Sequence, residues 1–189
     1  MQILKHYRVT DIVYRNKKWH KKSILAREAG KKLHAHIAKM HKGPGKYVEY
    51  PLANVITDTK GNILTTLLGT CDLFWLDGNN LYVVDHKTKT EKDKLYMDYR
   101  YADQLTAYGA MIITDFRDTR PPFLIDTTKL KVWFYRRYDD IKEAEKIVKE
   151  ANIGSFTAKE IIKAAEDYLS AYFDKKVKMY GFGKVKLRK

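Results

Sequence analysis

The feature of this sequence that most restricts its fold is a β-hairpin predicted near the middle of the chain. Two segments rich in apolar and β-branched residues, Ile63 to Leu76 and Leu81 to Thr88, flank an Asp-Gly-Asn-Asn sequence. β-Branched and aromatic residues favour strands, and a Gly-Asn pair between two such segments is typical of a tight turn. A similar segment, Tyr47 to Thr57, precedes the next Gly-containing turn, so a meander of three strands is expected.

Charged side chains face each other across this hairpin. With the turn at Gly78 and Asn79, the register places Asp72 directly opposite Asp85. Directly opposed carboxylates repel each other unless a cation compensates their charge. Lys87 follows Asp85 by two residues and therefore lies on the same face of the sheet. This face is expected to hold either a divalent metal ion or an ordinary salt bridge at a hairpin end.

The tripeptide Asp-x-Lys carries no information by itself in a chain with 37 lysines and arginines. Three of its four copies fall where a turn, a helix start and a helix end are expected, whereas one ends an apolar strand. The four copies are Asp58/Lys60, Asp85/Lys87, Asp140/Lys142 and Asp174/Lys176, and the strand copy is Asp85/Lys87.

Helical and strand patterns surround the meander. Apolar residues at helical spacing predict one helix from about Ser23 to His41 and another from about Lys94 to Ile113. A further strand is expected over Lys129 to Tyr138. This order predicts an α/β fold with a mixed β-sheet flanked by helices.

Two helices and a loose tail are expected to close the chain. Capping-box spacings, with Glu three residues after the cap, predict helices that open at Asp140 and Thr157. The tail after Gly181 is expected to be loosely structured. We therefore expect a single domain over residues 1–189, with a core at about 23–138, C-terminal helices at 139–174 and a basic tail at 175–189.

The charge of the chain is concentrated at its two ends. The formal net charge is +14, with +11 in residues 1–46, +7 in residues 175–189 and −4 between them. Basic ends around a mildly acidic centre suit a polyanion that is gripped at the edges of a site, and nucleic acid is the natural candidate. The alternative is a lysine-rich surface that only increases solubility.

Composition also excludes several classes of protein. A single cysteine, Cys71, cannot form an internal disulfide, a cysteine-rich zinc site or a four-thiolate iron–sulfur cluster, and it fits a reducing compartment. No run approaches the roughly 18 apolar residues of a membrane helix. We expect an intracellular, cytoplasmic protein without a membrane contact, encoded by a cell, a phage or a virus.

Four short motifs fall in order on helices and strands. They are Gly30-Lys-Lys-Leu-His34, Gly69-Thr-Cys-Asp72, Asp85-His-Lys87-Thr88 and Gln104-Leu-Thr-Ala-Tyr108. Together they resemble the PD-(D/E)XK nuclease superfamily, and specifically its RecB-like exonuclease branch, over about residues 24–112. Two features differ from that superfamily, since no Pro precedes Asp72 and the clustered cysteines of its iron–sulfur members are missing. No iron–sulfur cluster is expected.

The resemblance implies a fold and a metal centre. The fold would have a restriction-endonuclease-like core of helix, three-stranded meander, helix and strand, followed by C-terminal helices. Asp72 and Asp85 would ligate Mg²⁺ or Mn²⁺, since hard cations favour oxygen ligands. The backbone carbonyl of His86 would complete the shell, and His34 would ligate or orient the ion.

Helix geometry and motif spacing separate His34 from two competing histidines. His36 and His41 lie on the same predicted helix. At about 100° per residue, His34 lies beside Gly30 at one edge of the apolar stripe and His36 lies at the other edge. The family spacing selects His34, and a packed or surface histidine is the alternative.

Three further residues match the branch. Glu49 corresponds to an acid of its first strand, and a turn centred on Lys60 and Gly61 would place Glu49 opposite Asp72. Gln104 and Tyr108, one helical turn apart, would contact substrate phosphate or hold the catalytic lysine. Packing of Tyr108 in the core, with Gln104 at its edge, is the alternative.

The predicted strand after the second helix has one basic and aromatic face. That face carries Lys131, Trp133, Tyr135 and Arg137. Such a face could stack unpaired bases. Because Val132 and Phe134 make the opposite face apolar, an ordinary core strand is the alternative.

These observations predict a metal-dependent nuclease that hydrolyses DNA phosphodiester bonds. The resemblance implies an exonuclease acting on single-stranded DNA or duplex ends, giving 5′-phosphate and 3′-hydroxyl ends. Its catalytic residues would be Asp72, Asp85, Lys87, Gln104 and Tyr108. The chain has no P-loop motif, so unwinding would require a helicase or another replication or recombination protein. The rival predictions are a nuclease-fold protein that binds nucleic acid without cleaving it and a basic RNA-binding protein.

Overall fold

The longest strand of the described chain, Ile63–Asp77, lies in the middle of the sheet. The computed structural model describes residues 6–14, 21–90, 92–117, 124–136, 146–177 and 184–188. The strands are β1 (Tyr7–Arg8), β2 (Lys46–Asp58), β3 (Ile63–Asp77), β4 (Asn80–Lys89), β5 (Thr127–Arg136), β6 (Ile147–Thr157) and β7 (Val185–Arg188). The helices are α1 (Val9–Val13), α2 (Lys21–Met40), α3 (Tyr99–Arg117) and α4 (Ala158–Val177).

The sheet is mixed. Its strand order is β6-β5-β4-β3-β2-β7, and β1 pairs with β3 outside this path. Neighbours along the path are antiparallel except for β4 and β5, which run parallel, and β1 is also parallel to β3. The parallel pair is joined through α3, as a crossover connection requires.

One edge of β3 is shared by two partners. β4 pairs with β3 from Asp77 to Leu73, whereas β1 pairs with it at Leu67 and Leu68. β4 nevertheless continues beside β5 as far as Lys89. β3 and β4 therefore diverge beyond the pair formed by Leu73 and Val84. Asp72 and Asp85, the next residue on each strand, lie where this gap begins.

Helices cover both faces of the sheet. On one face α3 buries Leu105, Met111 and Ile112 against the strands, and α4 packs on α3. On the other face α2 packs Leu33 and Ile37 against Tyr135 of β5. Within the described ranges, no helix combines the length and the hydropathy that a membrane span requires.

The predicted fold class is confirmed. The chain has a mixed α/β architecture with the helix, three-stranded meander, helix and strand of a restriction-endonuclease-like core. The predicted start of the second helix at Lys94 is wrong, because α3 begins at Tyr99. Asp98 ends the preceding irregular segment, and its carboxylate accepts a hydrogen bond from the backbone N–H of Arg100 at 3.0 Å.

The C-terminal third differs most from the prediction. The predicted helix start at Asp140 lies outside the described residues, but Ile147–Thr157 is a strand rather than a helix. This segment pairs with the edge of β5 through most of its length. Pairing with the open edge of β5 therefore determines that this segment is a strand. The capping box at Thr157 is confirmed, since its backbone N–H donates to the Glu160 carboxylate at 2.8 Å.

The expectation of a loose tail after Gly181 is wrong for the residues that form β7. This strand pairs with β2 between Val55 and Asp58. Val185 and Leu187 are buried, and the backbone N–H of Leu187 donates to the Glu166 carboxylate at 3.1 Å. Alternating apolar and basic residues allow this short strand to bury one face and leave its charges in solvent.

Candidate active site and metal centre

The point where β3 and β4 separate brings two carboxylates together. The observed pairing runs from Asp77↔Asn80 to Leu73↔Val84, which is the register that the turn sequence predicts. Asp72 and Asp85 occupy the next position on each strand. There the backbone N–H of His86 donates to Asp72 Oδ2 at 2.7 Å. A carboxylate thus replaces the ladder hydrogen bond at the opening of the gap.

Asp85 is buried beside Lys87. Its side chain is 1% exposed, and its Oδ2 lies 2.6 Å from the Nζ of Lys87. Burial lowers the pKa of Lys87, but the negative charge of Asp85 and further contributions from Tyr14 and Asp72 outweigh it, so the net pKa lies above its ordinary value. The Lys87 ammonium is therefore a fixed positive charge, 19% exposed, at the wall of a cavity.

Gln104 connects the residues of this pair. Its Nε2 donates to Asp85 Oδ1 at 3.0 Å, and its Oε1 accepts from Lys87 Nζ at 3.3 Å. Tyr14 donates its hydroxyl to the same Oε1 at 3.1 Å, and Nε2 lies 3.4 Å from the hydroxyl of Tyr108. Every polar atom of the Gln104 amide thus has a partner, and the charges of Asp85 and Lys87 determine its orientation.

A second group of side chains could hold a metal ion. One ligand atom each of His34, Glu49 and Asp72 lies within 4.8 Å of the others. His34 Nδ1 is 3.8 Å from Asp72 Oδ2. His34 lies on α2, on the face of the sheet opposite α3. Because β3 and β4 diverge, this histidine can approach Asp72.

The chemistry of this group fits a divalent cation. Burial and the charge of Asp85 raise the pKa of Asp72 well above its ordinary value, so a nearby positive charge would stabilise its ionised form. Burial lowers the pKa of His34, which favours the neutral imidazole that binds metals. Two carboxylates and one imidazole suit Mg²⁺ or Mn²⁺ better than a thiolate-seeking metal.

Glu49 reaches this group through an unusual backbone conformation. Its neighbours pair in the expected register, Val48 with Leu73 and Tyr50 with Cys71, so Glu49 is opposite Asp72. Its φ is 48°, the only left-handed value at a non-glycine residue in the described part of the chain. Such a conformation costs on the order of 1–3 kcal/mol and is found mainly at functional sites.

Two predicted ligands lie outside this group. Asp85 is not among the clustered ligand atoms of the described residues, because its carboxylate faces Lys87 and Gln104. His86 offers its N–H to Asp72. Metal ligation by Asp85 and by the carbonyl of His86 stays a prediction, as do the catalytic roles of the other site residues.

Close packing explains why two of the motifs begin with glycine. A Cβ at Gly69 would lie 2.7 Å from the ring of Tyr108, which is buried and cannot move aside. A Cβ at Gly30 would lie 3.3 Å from the hydroxyl of Thr88, at the end of β4. These glycines let α3 and α2 approach the strands that carry the carboxylates.

His86, which the sequence singled out only for its backbone carbonyl, has a buried imidazole near His34 and His41. The His86 ring is 1% exposed, and neither of its nitrogens has a hydrogen-bond partner in the described structure. It stacks on Trp133, with the two ring centres 5.9 Å apart. Its ring centre lies 5.5 Å from that of His41 and 6.2 Å from that of His34. Burial, followed by repulsion from the other two histidines, lowers its pKa to about 3. His86 is therefore neutral.

The basic and aromatic face predicted on β5 is only partly exposed. Tyr135 is fully buried under α2, and Lys131 and Trp133 both donate to the carboxylate of Glu150 at 2.7 Å. Arg137 lies outside the described residues. Core packing, the alternative to base stacking, therefore accounts for Tyr135.

Two cavities of about 720 Å³ each meet at the site. One contains the carboxylates together with Arg8 and the edge of β3, and the other extends along α3 towards Tyr96 and Arg100. Their shared lining residues are Thr10, His34, Lys87 and Gln104. Sequence analysis missed Tyr14, Tyr96 and Arg100, because no local motif marks them.

Comparison with known proteins establishes the fold but not the activity. No protein-family model matches the chain, and no curated protein sequence matches it. The solved structure of SSO0001 is similar, with a TM-score of 0.54 and 18% identity over 94% of this chain and 84% of that one. A phage-related exonuclease from Haemophilus somnus 129PT has a TM-score of 0.39 and 11% identity over 92% and 80% of the two chains, which is too distant to establish a common fold.

The fold and the site together define a class of domain. It is an α/β domain of the restriction-endonuclease-like type in which two diverging strands present carboxylates and a partly exposed lysine, and helix α2 adds a histidine.

Proposed function

We propose that this chain is a metal-dependent nuclease that hydrolyses DNA phosphodiester bonds. The observation that supports it best is that a fixed positive charge and a cluster of possible metal ligands lie in the same cavity. The Lys87 ammonium, fixed 2.6 Å from Asp85, lines the same cavity as His34 and Asp72, two of the three clustered ligands. A metal ion and a positive side chain both stabilise the charge that develops on the oxygens of a phosphodiester during hydrolysis.

His34, Glu49 and Asp72 would hold the ion, with Asp85 as a further ligand. A bound Mg²⁺ or Mn²⁺ lowers the pKa of a water and neutralises charge on the phosphate. Because Cys71 is the only cysteine, we propose no iron–sulfur cluster.

The residues of the chain supply positioning and charge. The Lys87 ammonium stabilises the negative charge that develops on phosphate oxygens and orients the attacking water. Gln104, through its bonds to Lys87 and Asp85, holds both groups in place, and Tyr108 packs against Gly69 to set the strand geometry. Cleavage would leave 5′-phosphate and 3′-hydroxyl ends.

The finer proposal is an exonuclease acting on single strands or duplex ends. Arg8 lines the cavity that holds the carboxylates, and residues 1–46 carry a charge of +11 that suits phosphates. Unwinding of long duplexes would be supplied by a partner such as a helicase.

The test is incubation of end-labelled linear DNA and of circular DNA with Mg²⁺, Mn²⁺ or EDTA. We expect cleavage with either ion and none with EDTA, and cleavage confined to linear DNA would identify an exonuclease. Lys87→Ala should lower turnover roughly 10²-fold or more, whereas Lys60→Ala, in the turn copy of the tripeptide, should not. DNA binding without cleavage under every condition would favour a non-catalytic nuclease-fold protein.

A further inference from the structure

We propose that Tyr96 and Tyr99, with Lys89 and Arg100 beside them, form a stacking subsite for an unpaired nucleobase at the mouth of the candidate active site. The inference rests on the proposed function only in taking the ligand to be a nucleic-acid strand. It assigns a binding role to residues outside the four sequence motifs.

Exposed aromatic surface is concentrated beside the cavity that Tyr96 and Arg100 line, and Tyr99 directly precedes Arg100 in sequence. Tyr96 is 59% exposed and Tyr99 is 77% exposed, and Met97 between them is 38% exposed. Only eight large apolar side chains are exposed in the described part of the chain, and three of them fall within these four positions. Such a cluster of exposed apolar residues marks an interaction surface.

Each exposed ring has a cation close to it. Lys89 Nζ lies 5.4 Å from the ring centre of Tyr96, and the guanidinium carbon of Arg100 lies 5.8 Å from that of Tyr99. The Arg100 guanidinium also lies 5.4 Å from the ring of Tyr14, inside the cavity. Aromatic faces combined with cations match a strand in which bases and phosphates alternate.

The segment that carries the two rings is held in place before any ligand binds. Arg136 donates to the carbonyl of Asp93 at 2.7 Å, and Lys149 donates to the carbonyl of Leu95 at the same distance. At its other end Asp98 accepts two bonds from Arg100 Nε, at 2.8 and 2.9 Å. A segment fixed in this way loses little conformational entropy when a base stacks on it.

The position of the subsite defines which base it receives. Tyr96 and Arg100 line the cavity that also contains Lys87 and Gln104, and these last two residues are shared with the carboxylate cavity. A strand whose phosphate lies at Lys87 therefore places a neighbouring nucleotide beside Tyr96. The interior bases of a duplex have both faces covered by their neighbours, so the subsite selects a base that is unpaired or frayed.

Binding measurements in EDTA test this proposal apart from any cleavage. Fluorescence anisotropy would compare a labelled single-stranded oligonucleotide with a blunt duplex of the same sequence. We expect Tyr96→Ala and Tyr99→Ala each to raise the Kd for the single strand about fivefold to a hundredfold. The Kd for the duplex should change much less. Tyr96→Phe, which keeps the ring, and Leu124→Ala, which removes an exposed apolar side chain elsewhere, are the controls.

A second measurement changes the DNA and leaves the protein intact. An abasic site placed at each position in turn should weaken wild-type binding at one position, and Tyr96→Ala or Tyr99→Ala should abolish that position dependence. Equal effects on single strand and duplex, or no effect of either alanine variant, would overturn the proposal. Ring-dependent binding in a protein that never cleaves DNA would instead refute the nuclease proposal and leave the subsite intact.

Discussion

The hydroxyl of Tyr14 donates a hydrogen bond to Oε1 of Gln104 at 3.1 Å, although 90 residues separate the two in sequence. Burial raises the pKa of Tyr14 to about 12, so this hydroxyl stays protonated and remains a donor at neutral pH. The bond directs the other end of the amide, Nε2, to the carboxylate of Asp85. Tyr14, which caps the C-terminus of α1, thereby contributes to the position of Lys87.

Loss of this hydroxyl should slow the proposed reaction. A single intramolecular hydrogen bond contributes about 1 kcal/mol, which corresponds to roughly fivefold in rate. We expect Tyr14→Phe to lower kcat about that much while KM changes little. Steady-state cleavage of a single-stranded oligonucleotide measures both values. Tyr82→Phe, which removes a hydroxyl bonded to Lys129 outside the site, should leave kcat unchanged.

The buried pair Asp85 and Lys87 should couple strongly in stability. Removing the ammonium leaves a carboxylate that is 1% exposed without a counter-charge, and breaking a buried pair costs about 3–5 kcal/mol. Lys87→Met should lower the free energy of unfolding by that order, and Asp85→Asn in the same chain should restore most of it. Urea denaturation of the two single variants and the double variant would show this, and additive losses would contradict it.

A divalent cation should stabilise the folded protein. Ligand at 100 times its Kd adds about 2.7 kcal/mol, or about 5–10 °C in Tm for a chain of this size. Asp72→Asn and Glu49→Gln should each reduce the rise in Tm with Mn²⁺ or Mg²⁺. Asp174→Asn, an exposed carboxylate on α4, is the matched control. An unchanged Tm with both ions would remove the metal centre from the proposal.

Acid should destabilise the protein through His86. Burial lowers the pKa of this imidazole from 6.5 to about 3. In the unfolded chain it takes up a proton near pH 6.5, so the unfolded state binds more protons and stability falls as the pH drops below that value. One such group contributes up to about 1.4 kcal/mol per pH unit. Unfolding in EDTA from pH 7 to pH 4 should show a smaller loss for His86→Phe than for the wild type.

Deletion of β7 should destabilise the fold rather than only remove charge. Val185 and Leu187 are buried against the core, and burying such side chains contributes about 1.5–3 kcal/mol each. A chain that ends before residue 184 should therefore lose several kcal/mol. Replacing Lys184 and Arg188 by Gln should keep stability and reduce the salt dependence of DNA binding. Equal stability of the truncated and full chains would show that β7 is dispensable.

Local patterns were sufficient to predict the centre of the fold. The hairpin register at Asp77 and Asn80 follows from a turn sequence and the two-residue period of strands, and both are local properties. The same reasoning placed Glu49 opposite Asp72 across the meander. It failed for Ile147–Thr157, where an open edge of β5 determined the conformation.

The sequence by itself determined the meander, the order of the elements from α2 to β5 and the residues that face each other across the hairpin, because these depend on contacts within a few dozen residues. Only the tertiary structure decided which of these residues meet. The parting of β3 from β4 brings His34 to Asp72, and the packing of α1 on α3 brings Tyr14 to Gln104. The physical reason is that such contacts are set by strand divergence and helix packing, which no short spacing in the sequence records.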